Sequence, residues 1–99
     1  MPRGEGIFRV NDGDEALALH ALGWILGDER RAGRLLQMTG LDPSTLRASL
    51  DERATLAAIL GFLAAHEPDL VACAAALDME PEALAHAARR LEGLEGQQL

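Results

Sequence analysis

The stretch TGLDPSTLR, residues 39–47, places the signals that end one helix directly before the signals that begin another. Gly40 suits the left-handed residue that closes a helix, and Asp42 suits an N-cap whose carboxylate accepts backbone N–H groups. Pro43 follows at the first helical position, where no N–H is needed. Leu41 is placed to pack against Leu46, one turn into the new helix. The stretch therefore predicts two helices joined by a tight corner.

The same arrangement recurs nearer the C-terminal end of the chain. In MEPEAL, residues 79–84, an acidic residue again precedes a proline, with apolar residues at the positions that pack across the corner. A weaker version, HEPDLV, occupies residues 66–71. Because each version ends one helix and starts another at once, we expect short helices that cross at large angles.

The longest apolar helix is predicted between these corners, over about residues 50–66. Ser49 and Glu52 have the spacing of a capping box at its start. Apolar residues then recur every three or four positions, which is the spacing of one buried helix face. The residues of this core stripe are Leu56, Ile59, Leu60 and Leu63, with Phe62 and several alanines beside them. The pattern predicts a central helix.

A second central helix is predicted from Asp12 to Gly27. Asp12 and Glu15 have the spacing of an acidic capping box at its start. Apolar residues form two stripes, one of Leu17, Ala21, Trp24 and Ile25 and one of Leu19, Leu22 and Leu26. Because a helix that is apolar on two sides is usually buried on both, we expect this helix inside the domain, with Trp24 as its largest anchor.

Three further helices are predicted over about residues 29–39, 68–78 and 81–92. The first begins after Asp28 as N-cap, and a kinked continuation of the preceding helix is the alternative. Its inward residues are predicted to be Ala32, Leu35, Leu36 and Met38, and its outward residues Arg30, Arg31 and Arg34. The inward residues of the other two helices are predicted to be Leu70, Val71, Cys73, Ala74 and Leu77, then Leu84, Ala87, Ala88 and Leu91.

The fold class that follows is all-α, a compact orthogonal bundle of five to six short helices. No stretch alternates at period two for the length of a strand, and 48% hydrophobic residues suffice for a core. A length of 99 residues fits one domain. We expect a flexible N-terminal arm at residues 1–11, a single helical domain at 12–92 and a flexible C-terminal tail at 93–99.

The net charge of −7 is unevenly distributed, and every basic residue is arginine. Residues 28–53 are neutral, whereas residues 1–27 carry −2 and residues 54–99 carry −5. Because negative charge repels phosphate backbones and anionic membranes, only the middle third suits nucleic acid. The N-terminal sequence lacks an apolar signal segment and no apolar run is long enough to span a bilayer, so a cytoplasmic location is expected.

The corner at residues 39–47 also resembles a DNA-binding helix-turn-helix, with a glycine in the turn and apolar anchors on both helices. A DNA-binding surface would use residues 29–50. Its contact residues would be Arg30, Arg34, Ser44, Thr45 and Arg47, with Arg31 and Arg53 also able to reach phosphates. The second corner has similar apolar anchors but carries acidic residues where DNA would lie: Asp78, Glu80 and Glu82. Such a corner therefore also serves as a purely structural joint, and DNA binding is the alternative hypothesis.

Residues typical of catalysis or metal binding do not cluster along the sequence. His20, His66 and His86 fall on different predicted helices without the spacing of a metal site. Cys73 is the single cysteine and lies among alanines, which is typical of a buried thiol with a raised pKa. The carboxylates mostly begin helices, where they cap N–H groups. We expect no catalytic residues, no cofactor, no metal and no enzymatic activity.

The leading functional hypothesis is a non-enzymatic protein-interaction module. Alanine-rich helices leave room for an apolar cleft, and the helix at residues 12–27 has more apolar surface than a peripheral helix needs. The partner would be another protein or a second copy of the chain. The alternative is that the rest of the fold covers this surface.

Two parts of the chain resemble a bacterial family catalogued as domain of unknown function 3572. They are ALHALGWILGDERRAGRLLQMTGLDPSTLRASL, residues 18–50, and EPDLVACAAALDMEPEAL, residues 67–84. The likeness covers about residues 15–91, and its marks are LGW in the first helix, GLDP at the first corner and the acidic residue before proline at the last. The resemblance implies a small helical cytoplasmic protein. It implies no activity and identifies no functional residues.

Overall fold

The computed structural model describes residues 10–93, which form six helices and no strand. The helices are α1 (Val10–Leu26), α2 (Glu29–Thr39), α3 (Pro43–Ala48), α4 (Arg53–Ala64), α5 (Glu67–Ala76) and α6 (Pro81–Glu92). The all-α prediction is confirmed. The predicted arm at residues 1–11 and tail at residues 93–99 lie almost wholly outside the described residues.

The core lies where α1, α4 and α6 pack against one another. Helix α5 packs on all three, and α2 packs on α1 and α4. The largest fully buried side chains are Ile25, Leu35, Ile59, Leu60, Leu63 and Leu84. By length and apolar character, no single helix within residues 10–93 could cross a membrane, although α4 and α5 pass that test together as a pair bent by 109°.

The two proline corners are formed as the sequence predicts. Gly40 ends α2 in the left-handed conformation, with φ of 74°, and its N–H donates to Leu36 O. The Asp42 carboxylate accepts the Thr45 N–H at 2.8 Å, and Pro43 is the first residue of α3. Helix α6 likewise begins at Pro81. These local signals place the helix ends because a cap hydrogen bond and the fixed φ of proline act within one turn.

The predicted start of the central helix at residue 50 is wrong, because α4 begins at Arg53. The Ser49 hydroxyl donates to Thr45 O at 2.9 Å and Leu46 O at 3.2 Å, so it caps the end of α3. Glu52 is the N-cap residue of α4 and makes no side-chain cap hydrogen bond. Ser49 therefore satisfies carbonyl groups of the preceding helix, and the predicted capping box does not form.

The start predicted for α1 is also wrong, and so is its predicted burial on two sides. The helix begins at Val10, so Asp12 lies inside it and is not the cap. Leu22 and Ile25 are buried, but Leu19 is 43% exposed and Leu26 is 50% exposed. The inward positions predicted for two other apolar residues, Met38 on α2 and Val71 on α5, are wrong as well, since both are exposed. Within the described residues, other helices pack against only one side of α1, α2 and α5.

Candidate interaction surface

The predicted DNA-binding corner presents α3 on the surface of the bundle. Leu46 is the buried residue of this six-residue helix, while Ser44, Thr45 and Arg47 are exposed. The Thr45 N–H that donates to Asp42 holds the pKa of that carboxyl below its usual value. The side chains that would face base edges are therefore accessible, and an ionised carboxylate lies at the start of the same helix.

The arginines predicted to face outward from α2 differ in their surroundings. Arg30 is exposed. Arg34 donates to Asp69 on α5 at 2.9 Å, and its guanidinium carbon lies 5.8 Å from the centre of the Phe62 ring. Arg31 does not face outward: its guanidinium carbon lies 3.7 Å from the centre of the Trp24 ring. The side chains of Arg30 and Arg34 are therefore both accessible, but the charge of Arg34 is already paired with Asp69.

Arg53, the other predicted phosphate contact, is exposed but its guanidinium is bound to another helix. It donates to Leu91 O at 2.9 Å and to Arg90 O at 2.7 Å. These carbonyls belong to the last turn of α6, where backbone acceptors have no partner within the helix. The side chain therefore closes α6 and holds its end against the start of α4.

Two buried carboxylates were not identified from the sequence. Asp14 on α1 is almost fully buried and accepts two hydrogen bonds from Arg90 on α6, at 2.8 and 3.0 Å. Asp69 is also buried, and one of its oxygens lies 2.9 Å from Arg34 Nη1 and 3.2 Å from His66 Nδ1. Both carboxylates join helices that are distant in sequence. These contacts make both carboxylates structural ties between helices.

The thiol and the histidines form no reactive cluster in the described part of the chain. Cys73 is fully buried, and burial raises the pKa of its thiol to about 11, which keeps it protonated and poorly nucleophilic. His20, His66 and His86 are exposed on different parts of the bundle. Within residues 10–93, no group of three or more metal-ligating side chains converges.

One apolar depression beside the core helices is open and shallow. It has a volume of about 560 Å³ and lies between the start of α4 and the end of α6. Its walls are mostly small and apolar: Ala54, Ala57, Ala58 and Leu91, beside Arg53 and Glu92. The Arg53 guanidinium already binds carbonyl groups. The depression therefore offers apolar surface rather than an arrangement of acid, base and nucleophile.

The fully exposed residues of α1 and its end, over residues 13–27, are uncharged, and Glu15 beside them is half-buried. The exposed residues there are Gly13, Ala16, Leu19, His20, Gly23, Leu26 and Gly27, which we call the α1 face. They follow the three- and four-residue spacing of one helix side. A Cβ atom added at Gly13 or Gly23 would meet no atom within 4 Å. A glycine inside a helix costs about 1 kcal/mol of stability relative to alanine. No contact within the described bundle requires a glycine at position 23.

Comparison with known proteins identifies a family without a described activity. A family model described as Protein of unknown function (DUF3572) matches residues 11–94, which confirms the resemblance predicted from the sequence. No curated protein and no solved structure matches the chain. The function must therefore be inferred from the surface of this chain.

Proposed function

This chain belongs to the DUF3572 family of proteins of unknown function, and we propose that it is a non-enzymatic protein-interaction module that binds its partner through the α1 face. The observation that carries the proposal is an exposed helix side with two leucines, on which the one charged residue between positions 13 and 27 that is not buried, Glu15, is half-buried. The proposal includes the cytoplasmic location that the sequence predicts. Cell fractionation tests this location.

The α1 face differs in charge from the other long helices of the bundle. Exposed charged residues occur on α2, α5 and α6, among them Glu29, Arg30, Glu67, Glu82 and Arg89. A solvated helix side normally carries such residues, and an uncharged, partly apolar patch typically marks a binding site. Burying the exposed parts of Leu19 and Leu26 would contribute about 25 cal/mol per Å² of apolar surface. The face is thus suited to packing against another helix.

A non-enzymatic role agrees with the contacts and the protonation of the buried titratable groups. Asp14 and Asp69 are tied to arginines, and the Cys73 thiol is protonated inside the core. General acid–base catalysis requires a group within reach of a substrate and a pKa near the working pH. These three groups are committed to contacts within the bundle.

Site-specific photo-crosslinking in cells tests the proposed surface. A benzoylphenylalanine residue at position 20 would lie in the α1 face, and one at position 86 would replace another exposed histidine, on α6. We expect protein adducts, with another protein or with a second copy, from position 20 and far fewer from position 86. Equal adduct yields from the two positions, or none from position 20, would contradict the proposal.

DNA binding by the corner is the second candidate function, favoured by the exposed outer residues of α3. In this hypothesis Arg30, Arg34 and Arg47 contact the duplex, together with Ser44 and Thr45. Titration of a labelled duplex at low and moderate salt tests it, because phosphate contacts make the affinity salt-dependent. A binder would lose affinity with Arg47→Ala and with added salt. No binding at low salt removes this candidate.

A further inference from the structure

We draw no further inference here: the strongest candidate, the apolar depression of about 560 Å³ between the start of α4 and the end of α6, carries nothing because its alanine-lined walls are open to solvent and nothing in the structure shows what covers them.

Discussion

The ion pair between Asp14 on α1 and Arg90 on α6 should contribute measurably to the stability of the bundle. Asp14 is 5% exposed, and Arg90 donates to both of its oxygens. Asp14→Asn keeps the shape of the side chain but removes the charge and one of the two acceptors. Hydrogen bonds to charged groups contribute about 1.5–3 kcal/mol each, and solvent competes for an arginine that is more than a third exposed. The expected loss is about 2 kcal/mol.

Thermal or urea unfolding measures this loss. A chain of 99 residues has an unfolding entropy of about 0.2 kcal/mol/K, so the midpoint should fall by about 10 °C. Asp51→Asn makes the same chemical change at an exposed position and should shift the stability by less than about 0.5 kcal/mol. A double-mutant cycle with Arg90→Met should return a coupling energy of about 1 kcal/mol or more. An Asp14→Asn midpoint equal to that of the wild type would refute the reasoning.

Two further predictions follow from shifted pKa values. Burial raises the pKa of Cys73 from 9.0 to about 11, so its contribution to stability is present below pH 9 and is lost as the pH rises towards 11. The free energy of unfolding of Cys73→Ala, measured with urea, should not show this loss at alkaline pH. The same pH dependence of the unfolding free energy in both proteins would exclude the effect. The Thr45 N–H lowers the pKa of Asp42 below 3.8, so its contribution is present above that pH and is lost as the pH falls through the lowered value. Asp42→Asn, which can still cap, should show a smaller acid-induced loss.

Helix ends were predictable wherever the signal lies within one turn of the chain. The predicted bounds of α2 and α6 agree with the structure because Asp28, Gly40 and Pro81 act on their own neighbours. The start of α4 was not predictable in this way. A serine hydroxyl can cap the start of a helix or the end of one. The Ser49 hydroxyl donates to carbonyl groups at the end of α3. Short-range patterns do not decide between two competing local hydrogen bonds.

The depth of burial was predictable for one side of each helix but not for the second. The stripe of α4 is buried throughout because four helices, α1, α2, α5 and α6, pack against α4. Periodicity reports which residues share a side, but it does not report how many helices are available to cover it. The ties between Asp14 and Arg90 span 76 residues, and no spacing rule connects positions that far apart. The α1 face was accordingly expected to be buried.

The uncovered side of α1 follows from the small size of the bundle. Four helices pack around the inner side of α1, and residues 10–93 contain no further helix to cover the outer side. Arginine and glutamate favour helices as strongly as leucine does, so helix propensity does not explain leucine at positions 19 and 26. It explains Gly23 still less, since alanine would fit there and stabilise the helix. Residues that are unfavourable for an isolated monomer become favourable together when a second helix packs on them. That is the reason for assigning the α1 face to binding rather than to solvent.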